Sequence, residues 1–135
     1  MSRKKRILGY NCPIERTKLY DIPALELAKA LIEKDPVVHI HISRLADKVG
    51  INEFKLKLGF RELFQTSPYQ YRLQLCLRKA KELLEETDDT IDQIASKVGF
   101  ETYSGFSTAF KKAYHLAPTE YRQSLYESPI LRPSA

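Results

Sequence analysis

The sequence predicts an all-α protein: two helix-turn-helix units joined by a long central helix. Three observations predict it. Apolar residues recur at helical spacing across residues 23–121, and no segment alternates for long enough to demand a sheet. The stretch Ile42-Ser43-Arg44-Leu45-Ala46-Asp47-Lys48-Val49-Gly50 returns as Ile91-Asp92-Gln93-Ile94-Ala95-Ser96-Lys97-Val98-Gly99. Phe60-Arg61-Glu62-Leu63-Phe64 and Pro68-Tyr69-Gln70-Tyr71-Arg72 also return, as Phe110-Lys111-Lys112-Ala113-Tyr114 and Pro118-Thr119-Glu120-Tyr121-Arg122. Two copies are too few for a solenoid and suit a pair of modules acting together.

Residues 1–20 are basic, broken by Gly9 and Pro13, and read as an arm or linker whose run at 3–6 either touches phosphate or is solvated. The folded domain is expected over 21–124. A helix starts near Pro23 with Asp21 in capping range, and carries Leu25, Leu27, Ala28, Leu31 and Ile32 on its apolar side. Asp35-Pro36 ends it, and residues 37–40 form an extended connector. The first unit occupies about 41–66. Leu45, Ala46 and Val49 mark its apolar face, which Ile51, Leu56 and Phe60 continue beyond Gly50. Glycine there supplies the positive φ that lets two helices cross steeply. His41 is a poor cap, so this start is expected to be less sharply defined than that of the second copy.

Ser67-Pro68 opens the central helix, about 67–86, with serine as N-cap and proline at the first helical position. Its length is roughly 27 Å at the standard rise. Thr87-Asp88-Asp89 breaks it before the second unit, about 90–123. Thr90 with Gln93 forms a capping box at that start. The tail, 125–135, contains Pro129 and Pro133 and is expected to be disordered.

The formal net charge is +5, from 22 basic and 17 acidic residues, which favours a polyanionic partner and fits RNA or an acidic membrane as well as DNA. No apolar run approaches a membrane span, so no membrane partner is expected. Cys12 and Cys76 lie too far apart in kind to suggest a disulfide framework and point to a reducing cytosol. His39, His41 and His115 have no carboxylate or cysteine at a recurring ligand spacing, so no metal site is expected. With neither a phosphate loop nor a nucleophile motif, the chain reads as no enzyme, and no cofactor is implied.

In the second copy, Ile91-x-x-Ile94-Ala95-x-x-Val98-Gly99-Phe100, Phe106-Ser107-x-x-Phe110-Lys111-Lys112 and Pro118-x-x-Tyr121-Arg122 stand in order. Together with Leu45-Ala46, Val49-Gly50 and Ser67-Pro68-x-x-Tyr71, they resemble the DNA-binding domain of AraC/XylS-family transcription regulators over about residues 22–123. There are departures. Gln65 and His115 stand where the family usually has glycine, and Ala117 replaces a capping Ser or Thr. Cys76 replaces a frequent arginine, and Gly105 lies inside the second recognition helix.

In the first unit, Ile51, Leu56, Phe60 and Leu63 are claimed by the core, which turns Phe54, Lys55, Lys57 and Arg61 outward. The resemblance implies that Phe54, Lys57 and Leu58 read bases. Lys57 can donate to guanine, and Phe54 or Leu58 can pack on a thymine methyl. Phe54 has a second reading, closing a small core. In the second unit Phe100, Phe106 and Phe110 are the expected buried aromatics, leaving Tyr103, Ser104, Ser107 and Thr108 at family base-reading positions. Lys55, Arg61, Lys97, Thr102, Lys111 and Lys112 are phosphate candidates, with Arg44 and Lys48 as weaker ones.

The partner implied is double-stranded DNA, entered at successive major grooves about 34 Å apart by one monomer. RNA polymerase is the expected second partner. Family members usually carry an additional N-terminal domain. The residues before the first unit are too few for one, so dimerisation is expected only through a domain this segment lacks. The competing reading is an interaction module that kept the fold and lost DNA binding; a salt-dependent DNA shift separates the two.

Overall fold

The structure, a computed structural model, describes residues 16–127. The basic run at 3–6 and the tail at 128–135 lie outside the described residues. Among the described residues there are seven α-helices and no strand: α1 Ile22–Lys34, α2 Ile42–Val49, α3 Glu53–Phe64, α4 Pro68–Glu86, α5 Ile91–Lys97, α6 Tyr103–Tyr114 and α7 Pro118–Glu127. A 3-10 turn, Leu19–Asp21, precedes α1. Two compact units divide the chain, with the boundary between Leu73 and Gln74, inside α4.

In the first unit α1 packs against α2 and α3. Leu25, Ala28, Ile32, Leu45, Leu56 and Phe60 are buried at the centre, where apolar area leaves water. Ala46 is small where α2 meets its neighbours and is buried. The turn after α2 is closed by the carbonyl of Ala46, which accepts from the backbone N–H of Gly50 at 2.9 Å and of Ile51 at 3.2 Å. Gly50 has φ +81°, the left-handed conformation that lets the chain reverse there. His41 makes no side-chain cap, as expected, while Asn52 caps α3 by accepting from the Lys55 N–H at 2.8 Å.

The second unit repeats this plan. Thr90 and Gln93 form the capping box, and Gly99 has φ +90° with Phe100 N–H donating to Ala95 at 2.9 Å. Ile94, Val98, Phe106 and Phe110 fill the centre. Against them lie Cys76, Leu77, Ala80 and Leu84, all buried on α4.

The repeat therefore extends further than the helix-turn-helix blocks. Leu25-x-x-Ala28-Lys29-x-Leu31-Ile32-Glu33 on α1 matches Leu77-x-x-Ala80-Lys81-x-Leu83-Leu84-Glu85 on α4. The geometry matches too. Phe60 and Tyr71 stack with centroids 5.9 Å apart at 54°, as do Phe110 and Tyr121. Lys29 sits 5.0 Å from the Phe64 ring and 5.8 Å from Tyr71; Lys81 sits 5.3 Å from Tyr114 and 5.8 Å from Tyr121. Tyr71 donates to Glu33, and Tyr121 to Glu85 at 2.9 Å. The later part of α4, read from sequence as a connector, is thus the first helix of the second unit.

Several expectations need correction. Asp21 does not cap α1 with its side chain; the residue is buried and its carboxylate faces Lys55. The preceding 3-10 turn holds it in a helical conformation, which aims the carboxylate away from the helix end. Leu27 is 47% exposed and belongs to the solvent face of α1. The arm does not reach to residue 20: Thr17 is buried, and its N–H and hydroxyl both donate to Glu62, as does the Arg16 N–H at 3.1 Å. At the other end α7 continues to Glu127, three residues into the stretch read as tail. Phe100 and Ile51 are half-buried rather than core. Gly105 falls in the first turn of α6, where the cost of glycine is smaller than in a helix interior. Ala117 lacks a capping side chain, but Glu120 reaches back to accept from its N–H at 3.1 Å, half of a capping box.

Candidate nucleic-acid interface

In each helix-turn-helix the second helix, α3 or α6, buries one face and presents the other. Leu56, Phe60 and Leu63 lie inside on α3, so the 3.6-residue period carries Phe54, Lys57 and Arg61 to the outside. Phe54 is 62% exposed, which removes its reading as a core residue. Leu58 is half-buried at the edge of this face. The Arg16 guanidinium lies 5.6 Å from the Phe54 ring centroid, held there because Glu62 anchors the backbone of residues 16 and 17. Sequence reasoning missed both Arg16 and Glu62, since nothing local joins the residue 16 segment to α3.

On α6, Phe106 and Phe110 lie inside, and Tyr103, Ser104 and Thr108 outside, with Ser107 half-buried. Tyr103 is 44% exposed and its hydroxyl is 3.2 Å from that of Thr119. That contact orients the ring at the N-terminal end of α6. Thr102, expected as a phosphate contact, is the N-cap of this helix and accepts from the Gly105 N–H at 3.0 Å. The hydroxyl proton stays available for an outside acceptor, so the cap and a phosphate contact are compatible. Asn52 holds the corresponding place before α3, a cap signal present in the sequence but overlooked.

The basic candidates fall into two groups. Arg44, Lys48, Lys57, Arg61, Lys111 and Lys112 are exposed. Lys55 and Lys97 are not simply outward. Lys55 is half-buried, its ammonium 3.7 Å from buried Asp21 and 5.4 Å from the Tyr20 ring centroid. Lys97 is exposed but paired with Asp89. Both cations are partly neutralised within the protein, Lys97 by a direct hydrogen-bonded ion pair and Lys55 by a buried carboxylate at longer range.

Arg122 joins no outward surface. Its guanidinium donates from Nε to the Leu84 carbonyl at 3.3 Å, from Nη2 to Thr87 at 3.0 Å and from Nη1 to Asp89. It thereby satisfies carbonyls left over where α4 ends and locks the connector that starts the second unit. Among the described residues no helix is long and apolar enough to cross a membrane, and no cluster of three or more His, Cys, Asp or Glu side chains stands ready for a metal.

Known proteins share this arrangement. A helix-turn-helix domain family profile matches residues 45–124, more than half of the chain. The transcriptional regulator AlkR of Acinetobacter baylyi is 35% identical over 101 residues, covering 75% of this chain and 33% of AlkR. The chain thus spans about a third of the length of the curated relatives it matches. An AraC-type DNA-binding domain protein from Chromobacterium violaceum is 28% identical with a TM-score of 0.71, over 83% of this chain and 99% of that one. The DNA-binding domain of AdpA, solved in complex with a target DNA, has a TM-score of 0.74 at 21% identity, over 83% of this chain and 98% of that one. At that identity the likeness shows the fold alone. With the profile spanning both helix-turn-helix units and the relatives agreeing on the same class, the chain belongs to the AraC-type helix-turn-helix family.

Proposed function

We infer that this chain is the sequence-specific DNA-binding part of a transcription regulator, which inserts α3 and α6 into successive major grooves of duplex DNA. The observation that carries this reading is the matched build of the two helices. Each is capped at its start, each buries phenylalanine on one side (Phe60 on α3, Phe106 and Phe110 on α6), and each offers polar, aromatic or basic side chains on the other. A helix with such a free face fits the major groove, where every base pair displays its own donors and acceptors. Phe54, Lys57 and Leu58 on α3, with Tyr103, Ser104, Ser107 and Thr108 on α6, are the base-reading set. Arg44, Lys48, Arg61, Thr102, Lys111 and Lys112 contact phosphate, with smaller contributions from Lys55 and Lys97. The short hydroxyls on α6 discriminate bases weakly, so α3 carries more of the sequence preference.

This segment binds as a monomer, and RNA polymerase is the further partner of the regulator. The protein works in the cytoplasm and performs no catalysis.

Selection of duplexes from a random library, followed by binding in a salt series, tests the reading. With about six phosphates neutralised, log affinity falls against log salt with a slope near −5. Equal affinity for selected and random duplexes, or a flat salt response, overturns it.

A further inference from the structure

The two units differ in the connector that precedes the helix-turn-helix. Residues 35–41 join α1 to α2, whereas 87–90 join α4 to α5, so the first connector is three residues longer. In the second unit the short connector closes onto Arg122, which uses Nε and both terminal nitrogens on carbonyls. Arg72 holds the matching place in the first unit. It donates from Nη2 to the Val37 carbonyl at 3.0 Å, while its Nε is buried with no hydrogen-bond partner among the described residues. A buried donor left in that state is costly, and it leaves the first connector less fully bonded than the second.

Beside Arg72 the longer connector leaves a cavity of about 390 Å³. This falls in the size range of small-molecule sites. Ile32, Val38, Ile40, Ile42 and Leu45 supply apolar wall. Lys57, Arg61 and Arg72 supply three cations to the lining against the one carboxylate of Asp35, and His39 and His41, edge to face at 5.4 Å, complete one side. An apolar cleft with excess positive charge suits one kind of occupant. Its body must be apolar, and its head must be an anion drawn to Lys57, Arg61 and Arg72.

We propose that the first unit holds a binding site for a small organic anion with an apolar body, such as an aromatic carboxylate. Lys57 and Arg61 line this site and also belong to the DNA-facing set, so the occupant and the duplex compete. That consequence rests on the DNA-binding reading above; the site itself does not.

Fluorescence titration of the full chain with 8-anilinonaphthalene-1-sulfonate tests the site without DNA. Saturable binding is expected, with displacement by naphthalene-2-carboxylate at concentrations at least tenfold below those needed for the neutral naphthalene-2-methanol. Val38→Trp, which fills the cavity, and Val38→Glu, which adds a second carboxylate to its wall, each abolish saturable binding while the melting curve stays that of the parent. Equal displacement by the neutral alcohol, or undiminished dye binding in both folded variants, overturns the site. For the competition, saturating naphthalene-2-carboxylate weakens binding of a selected duplex at least fivefold. Unchanged duplex affinity despite saturable dye displacement overturns the competition alone. Failure to bind any selected duplex in the absence of the carboxylate overturns the DNA reading and leaves the site standing.

Discussion

Leu25 of α1 fills the space that a side chain on Gly59 of α3 would need. A Cβ at residue 59 would stand 2.9 Å from Leu25 Cδ2 and closer still to Cδ1, and both residues are buried. The two helices approach through this glycine. Taken alone, Gly→Ala inside a helix stabilises by up to about 1 kcal/mol. Here steric crowding opposes and outweighs that gain, because Leu25 is fully enclosed and has nowhere to turn. Gly59→Ala is expected to destabilise by about 1–3 kcal/mol in urea denaturation. Adding Leu25→Ala to Gly59→Ala should cost less than Leu25→Ala costs in the parent. A Gly59→Ala protein more stable than the parent would show that α1 and α3 can separate at no cost.

Gln65 and His115 end the two recognition helices at φ +58° and φ +68°, each donating its N–H to a carbonyl four residues back. These are the positions where glycine is the usual family residue. An L side chain pays roughly 1–2 kcal/mol for the left-handed region, partly offset by the greater freedom glycine has when unfolded. Gln65→Gly and His115→Gly should therefore each stabilise by a few tenths to about 1 kcal/mol. Gly50→Ala, at φ +81°, should cost more than about 1 kcal/mol despite open space around it. Thermal melting of the three variants checks the sign of each.

Burial, followed by the hydrogen bond to Glu85 and the charges of Glu85 and Tyr114, pushes the Tyr121 hydroxyl up to about 12. Its value in the unfolded chain is about 10. A raised value means the folded state holds the proton more tightly. The resulting stability is complete below about pH 10 and is lost as pH rises towards 12. Tyr121→Phe should lower stability at neutral pH and flatten the decline across pH 10–12. Parallel denaturation curves at pH 8 and 11 for parent and variant measure this; an unchanged pH slope would separate Tyr121 from the alkaline response.

Lys57 and Lys111 are both exposed on recognition helices, but in different places: mid-helix on α3 and in the last turn of α6. Lys57→Ala should weaken the selected duplex by roughly 1–3 kcal/mol and relax preference at one or two base pairs. Lys111→Ala should weaken all sequences about equally and reduce the salt slope by about 1. Base-preference profiles of the two variants decide the assignment. A changed profile for Lys111→Ala with an unchanged one for Lys57→Ala would reverse the roles.

Loss of Phe110, fully buried between Phe106, Tyr114 and Tyr121, should cost about 3–5 kcal/mol on substitution by alanine. DNA binding and helical circular dichroism should then be lost at the same temperature. A Phe110→Ala protein that melts like the parent yet fails to bind would place Phe110 at the interface.

What could be read in the chain was whatever acts within a few residues. The Thr90–Gln93 capping box, the Ser67-Pro68 helix start, the positive φ of Gly50 and Gly99, and the buried spacing of Leu56, Phe60 and Leu63 are local, and the structure has them all. Asn52 and the Leu25-to-Glu33 copy at Leu77-to-Glu85 were equally local and were overlooked; pattern alone could have found them. The folded chain decided which cations remain free for a partner. Lys55 and Lys57 look alike in sequence, but packing of the 3-10 turn and α1 against α3 brings buried Asp21 to one and leaves the other exposed. Glu62 likewise becomes an anchor only because Thr17 is folded back onto it. Helix signals propagate through backbone hydrogen bonds a turn long, whereas charge pairing depends on which distant segments share a surface, and that is set by the shape of the core.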